Sequence, residues 1–397
     1  MRTNSGWSRR RLLGGAALGT AIAAAPAVVR AQSPLRLGFL TIPDPDGWHE
    51  SLRLKGDWLV VEISDGVHAG YGEASHSRDD AACREAAARL FAEHYAGFRP
   101  SLEALAAKEA ELAPLAPDFV TATALSGLNQ AFYELLAKRE QVPVWQLFRD
   151  RPGIESLPLY TTINRALERR SVDEYLEIVG ALEAQGFASF KCAPFEAVDG
   201  PDGAVEKAEA GFQTLRATRG RFAGLGMRVD FHERFEPASF ARLLPALEGL
   251  RLEWIEEPFA MGPDFGALRA STPLRVAAGE LFWGRPRFAE IVDNAWADVI
   301  MPDVKHVGGF GPLLEVMRMA EGRAEVSPHN PSGPVSTAAS LHAAAVRPES
   351  VRSLEYAFDR AGSRRATGER VERGRLYLSD APGFGIDPRG AGRGEPL

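Results

Sequence analysis

Short apolar runs recur through the second half of the chain at steps of roughly 25 to 40 residues: Leu157 to Thr161, Ser189 to Cys192, Met227 to Asp230, Trp254 to Glu256, Leu274 to Ala278, Val299 to Met301, Glu325 to Ser327 and Val351 to Leu354. Stretches with apolar positions at helical spacing separate them. Such alternation predicts βα units and a parallel sheet, and eight units predict closure into a barrel. Upstream the order changes. Trp58 to Ser64 and Val67 to Glu73 flank Asp65-Gly66, a hairpin signal. Asp79 to Phe98 and Thr121 to Lys138 then read as amphipathic helices, and Pro152-Gly153 closes this α+β unit. After Tyr356 the pattern is loop-rich, and Asp380 to Ile386 is expected to return to the first domain.

Seven of the eight apolar runs lead into ionisable residues: Lys191, Asp230 with His232, Glu256, Glu280, Asp303, His329 and Glu355. A barrel carries its chemistry at the carboxyl ends of its strands, where these residues fall. Asp230, Glu256 and Glu280 stand about 25 residues apart, so neighbouring strands would set three carboxylates around one point. Hard oxygen ligands with open coordination positions favour Mg²⁺, or Mn²⁺ as a close substitute, over zinc. Asp303 and His329 fall on the next two strands, where an aspartate can orient an imidazole and raise its basicity.

Composition narrows the partners. The 397 residues suit one barrel plus a smaller domain, with 45% apolar and 25% charged residues as in ordinary globular chains. A net charge of −7 leaves no basic footprint for nucleic acid, and no basic run in the body marks a membrane surface. Small molecules are the expected partners. Cys83 and Cys192 are too few for a disulfide framework or a thiolate zinc site, so a metal should sit on oxygen. No Walker motif and no Gly-x-Gly-x-x-Gly opening a helix supports nucleotide binding. At the start, Ser8-Arg9-Arg10-Arg11-Leu12-Leu13 precedes an Ala/Gly-rich run through Val29, similar to a twin-arginine export signal. Cleavage after Ala31 would leave a periplasmic protein with no membrane contact in its mature form.

From about Leu35 to Asp387 these motifs resemble the enolase superfamily, in its mandelate racemase/muconate lactonizing enzyme family. The resemblance implies an α/β fold: a TIM-like (β/α)7β barrel with an α+β N-terminal capping domain, completed by the C-terminal segment. The expected divisions are a signal over 1–31, a capping domain over 32–155, a barrel over 156–356 and a returning segment over 357–397. It also implies roles. Asp230, Glu256 and Glu280 would hold one Mg²⁺, with Glu257 behind them; the His329/Asp303 dyad would take the proton α to a substrate carboxylate; a protonated Glu355 would hydrogen-bond the developing enediolate. Lys191 matches the first lysine of the family's Lys-x-Lys pair. Ala193 stands where the second would be, which weakens a two-base racemase.

Asp230 to Arg234, His306 with Gly308-Gly309, and His329-Asn330-Pro331-Ser332-Gly333-Pro334 resemble galactonate-type acid-sugar dehydratases. There His232 would protonate a departing 3-hydroxyl. Two residues past Asp230, it is expected on the same side of the strand. Arg234, His306 and Arg165 are candidate substrate contacts, and His49 and His76 fall in segments matching the loops that close over the substrate. The reading is a Mg²⁺-dependent dehydratase of a sugar acid, giving a 2-keto-3-deoxy product. A hydroxy-acid racemase or epimerase, or a non-catalytic periplasmic sugar-acid binding protein, are the alternatives. Barrels of this family often pair, so a homo-oligomer is expected from the resemblance.

Overall fold

The structure, a computed structural model, describes residues 34–43, 48–49, 54–55, 57–358, 363–390 and 393–394. The expected export signal and most of the segment around His49 lie outside the described residues. In the N-terminal part, β1 (Arg36–Ile42), a short antiparallel pair β2 (Trp48–His49) and β3 (Leu54–Lys55), β4 (Trp58–Ser64) and β5 (Ala69–Glu73) precede three helices. β4 pairs antiparallel with both β1 and β5. The Asp65-Gly66 turn is four residues long: Asp65 N–H donates to the His68 carbonyl, and Asp65 Oδ1 accepts from Val67 and His68. The hairpin's second strand therefore starts later than its apolar pattern, leaving Val67 82% exposed. Helices α1 (Asp80–His94), α2 (Leu102–Leu112) and α3 (Phe119–Arg139) begin behind Asp79, Ser101 and Asp118, whose side chains accept from Ala82, Ala104 and Thr121 N–H groups. α2 adds to the two helices expected. α3 lies so close to β5 that a Cβ on Gly70 or Gly72 would strike the Ala131 or Gly127 carbonyl at about 2 Å.

The barrel follows as β6 (Ser156–Thr162), α4 (Val172–Ala184), β7 (Ser189–Cys192), α5 (Ala204–Lys207) and α6 (Glu209–Arg221), β8 (Gly226–Asp230), α7 (Pro237–Ala241) and α8 (Leu244–Glu248), and β9 (Trp254–Glu256). It continues through α9 (Asp264–Ser271), β10 (Val276–Ala278), α10 (Arg285–Asp293), β11 (Val299–Ile300), α11 (Phe310–Ala320), β12 (Glu325–Val326), α12 (Pro334–Val346) and β13 (Leu354–Ala357). β6 to β12 pair in parallel in sequence order. β13 runs parallel to β6, and a parallel bridge from Val326 to Val351 joins the other side. This is the (β/α)7β arrangement.

One strand is displaced from its apolar run. Val351 makes only that bridge, and the pairing with β6 starts at Leu354, so Glu355 lies inside the strand opposite Tyr160 instead of beyond its end. A charged residue in the middle of a strand looks like a terminus in sequence, but here it faces the barrel interior. Beneath it, the Arg228 guanidinium lies 3.7 Å and 3.9 Å from the Tyr160 and Trp254 rings and bonds Glu253, forming the floor of the strand-end chemistry. β14 (Val371–Glu372) and β15 (Arg375–Tyr377) form a hairpin on the start of β6, and β16 (Arg393–Gly394) pairs with β1. Between them, Gly383 exchanges backbone bonds with Val142 and Val144, and Arg389 pairs with Glu62. Both cysteines are buried and free. No helix among the described residues is long and apolar enough to cross a membrane.

The seam between the two parts holds His342 of α12, fully buried, whose Nδ1 accepts from the Trp145 N–H. Burial pushes its pKa down to about 3. A folded-state value below the unfolded one gives stability that is complete above about pH 6.5 and is lost as pH falls toward the folded pKa. Unfolding in urea is expected to show this residue costing about 2 kcal/mol between pH 7 and pH 5. His342→Asn should flatten that slope; an unchanged slope would remove His342 from the acid response.

Candidate active site

At the strand ends, Lys191 Nζ sits among four carboxylates: Glu256 at 2.6 Å, Glu355 at 3.0 Å, Asp230 at 3.5 Å and Glu280 at 3.7 Å. All five groups are buried. Burial alone would neutralise the lysine, but Glu256, Glu355, Asp230 and Glu280 together hold its pKa well above the ordinary value. The same crowding acts on the acids. Burial and the charge of Asp230 raise Glu280 strongly and, despite Lys191, bring Glu256 up to about 8.

Asp230 ends β8, and there the chain leaves the strand. His232 and Glu233 have φ of 48° and 55°, in the left-handed region that non-glycine residues seldom take. Its N–H donates to Asp230 Oδ1, and its Nε2 stands 2.9 Å from Oδ2. The expected meeting of His232 with Asp230 therefore arises from a side-chain-capped turn, not from strand alternation. Asp230 outweighs burial and holds His232 above the usual histidine pKa. Glu257, also at positive φ, accepts from the Gly279 and Glu280 N–H groups and so fixes the loop that presents Glu280.

Ligand atoms of Asp230, His232 and Glu280 lie within 4.8 Å of one another. Asp230 Oδ2, Glu280 Oε2 and Glu355 Oε1 are buried without a hydrogen bond, although cationic groups lie within ion-pair range. Orphaned, mutually repelling carboxylate oxygens fit a hard divalent cation. Glu256 stands beside this group with both oxygens engaged, Oε1 by Lys191 and Oε2 by the Trp254 indole N–H at 2.8 Å. It would have to release Lys191 to join the metal.

His329 Nδ1 lies 2.9 Å from Asp303 Oδ2, and its Nε2 faces Glu280 at 3.2 Å. Burial outweighs the pull of Glu355 and Asp303 and leaves His329 below the ordinary histidine pKa, in its neutral form. Asp303 stays ionised: against burial, Lys305, His306 and His329 hold it far below the usual carboxylate range. Lys305, not singled out by the sequence pattern, is fully buried with Nζ 3.0 Å from the same Asp303 oxygen that holds His329. Its only sequence signal was its place two residues after a strand-end aspartate.

The loop carrying His329 is fastened from outside the barrel. Glu73 at the end of β5 accepts from the Gly333 and Ser336 N–H groups, capping the start of α12 from another layer. Asn330 N–H donates to Glu355 Oε2, and its side chain bonds the Glu355 carbonyl and Thr337. Above these groups is a cavity of about 440 Å³ whose walls include His76, Arg165, Lys191, Asp230, His232, Glu280, His306, His329 and Glu355. His306 lies against Phe119 and contacts Thr123. Arg234 is not brought here: its guanidinium donates to the Val198 carbonyl, behind the strand ends. His49 lies in β2, and its side chain is outside the described residues.

A closed parallel barrel beneath an α+β cap, with acids and a His/Asp pair at successive strand ends, defines the capped barrels of the enolase type. The chain belongs to that superfamily: residues 174–391 match the enolase C-terminal domain-like family. A solved mandelate racemase/muconate lactonizing enzyme-like protein from Rubrobacter xylanophilus DSM 9941 shares the fold, with TM-score 0.79 at 24% identity over 90% of this chain and 95% of that one. A D-galactonate dehydratase from Verminephrobacter eiseniae is 32% identical over 55% of this chain and 57% of its own length. Another, from Variovorax paradoxus, is 28% identical over 67% and 71%. The chain thus spans little more than half the length of the first of these curated relatives.

Proposed function

We propose that this chain is a hydro-lyase that dehydrates a sugar acid bearing a 2,3-diol beside its carboxylate, giving a 2-keto-3-deoxy acid. The observation that carries the reading is the His329–Asp303 pair, with a neutral Nε2 aimed across the cavity at the carboxylate cluster. Asp303 fixes the tautomer by accepting from Nδ1, which leaves Nε2 to take the C2 proton. The electron pair left at C2 moves into an enediolate, which Lys191 would hydrogen-bond, with Glu355 beside it. Mg²⁺, held by Asp230, Glu280 and a freed Glu256, supplies positive charge for the carboxylate oxygens when bound. His232, beside Asp230, gives a proton to the 3-hydroxyl as the C3–O bond breaks and water leaves, and the resulting enol becomes the ketone. The galactonate dehydratase relatives support this substrate class.

Keto-acid formation from a panel of hexonates, pentonates and aldarates, with a chelator control, tests the reading. His232→Asn is expected to keep C2–H exchange in D₂O while elimination falls by roughly 10²- to 10⁴-fold. Equal loss of both would end its assignment as the acid. Export through residues 1–31 is part of the same proposal, and N-terminal sequencing of the periplasmic form should begin at Gln32.

A further inference from the structure

Three close partners hold the Asp303 carboxylate, and Lys305 supplies two of them. Its own N–H donates to Oδ1 at 2.8 Å, and its ammonium stands 3.0 Å from Oδ2, the oxygen that His329 Nδ1 meets at 2.9 Å. Asp303 and Lys305 are both fully buried. Neither charge would be kept there alone, because burial favours the neutral form of each. As a pair they sum to zero, and of the charges that keep Asp303 ionised against burial that of Lys305 is the largest. Lys305 does not line the cavity of about 440 Å³, so its effect on a bound substrate passes through its neighbours.

Those neighbours fix where it points. Beyond Asp303, Lys305 Nζ has His76 Nδ1 at 3.4 Å and His306 Nε2 at 3.5 Å. The Thr123 hydroxyl donates to the Phe119 carbonyl at 2.7 Å, so in its 2.9 Å contact with His306 Nδ1 it accepts. Burial holds His306 neutral, its proton is therefore on Nδ1, and the Nε2 lone pair faces the ammonium. The same rule of one proton per neutral ring decides the state of His329. An ionised Asp303 can only accept, which places the His329 proton on Nδ1 and leaves Nε2 bare. A protonated Asp303 would donate to Nδ1 instead, and the ring's single proton would sit on Nε2, where a base must have none.

We propose that Lys305 is a positioning residue that sets the tautomer of the base: its ammonium keeps Asp303 an acceptor, and Asp303 thereby keeps His329 Nε2 free to take a proton. The inference rests on the reading of His329 as the base, and the position of one proton tests it apart from turnover.

The test is ¹⁵N NMR of the full chain labelled at histidine, in Mg²⁺, with the His329 signals identified by their loss in His329→Asn. The unmodified protein should show Nδ1 protonated and Nε2 bare. Lys305→Met is expected to reverse the two and to lower kcat for C2–H exchange by roughly 10²- to 10⁴-fold with KM little changed, as for a base held in the wrong tautomer. Lys305→Gln serves where Lys305→Met does not fold, and Lys305→Arg, which keeps the cation, should restore the bare Nε2 and most of kcat. A folded variant without the ammonium whose Nε2 stays bare, or whose loss is in KM alone, overturns the assignment. Reversal in Lys305→Met, with no keto acid formed by the unmodified protein from any sugar acid, would uphold it and sink the dehydratase reading.

Discussion

His329→Asn is expected to abolish keto-acid formation and the exchange of the C2 proton together, lowering kcat/KM by roughly 10²- to 10⁴-fold. The amide can still reach Asp303 in place of Nδ1, so the loop should keep its anchor while Nε2 disappears. That position is otherwise well held, since Asn330 is tied to Glu355 and Thr337 and the start of α12 is capped by Glu73. The loss should therefore be chemical and not structural. Urea unfolding should place the variant close to the unmodified protein, and substrate binding should survive. Exchange retained by the variant would assign the base to another group.

Removing the metal is the second large effect expected. With no cation, Asp230, Glu256 and Glu280 crowd around Lys191, with His232 beside Asp230, and Asp230 Oδ2 and Glu280 Oε2 are buried without a hydrogen bond. A chelator should abolish turnover, with Mg²⁺ restoring it. Binding should also register as stability, about 2.7 kcal/mol at a Mg²⁺ concentration one hundred times Kd. Glu280→Gln removes one negative charge from this group and should erase most of the thermal shift that Mg²⁺ produces. No shift in the unmodified protein would sink the metal assignment, whatever its activity.

The sequence pattern was most legible where period and position coincide. Eight apolar runs mark the parallel strands, and an acid just past such a run is on the strand-end rim whatever its rotamer. It was less legible where a long side chain or a turn decides the outcome. His232 meets Asp230 through a left-handed turn that no alternation rule contains. Arg234 has the reach to enter the cavity, but the Val198 carbonyl takes it elsewhere. Glu355 is the second residue of a pairing displaced from its apolar run, and its charge disguises an inward strand position. Lys305 and Glu73 depend on contacts between distant segments, which periodicity along one chain does not record.

Glu73 belongs to the sheet of the cap, yet the segment it holds follows directly on His329 in the barrel. The working module is consequently not the barrel. A barrel expressed from residue 156 onward, or grafted beneath a foreign cap, would inherit every strand-end residue and still leave two buried N–H groups at the start of α12 without their acceptor. Recombination between such barrels should succeed only where the crossover carries Gly72-Glu73 along with the loop after β12, so that recruiting a new cap and keeping His329 in place are constrained by one inherited junction.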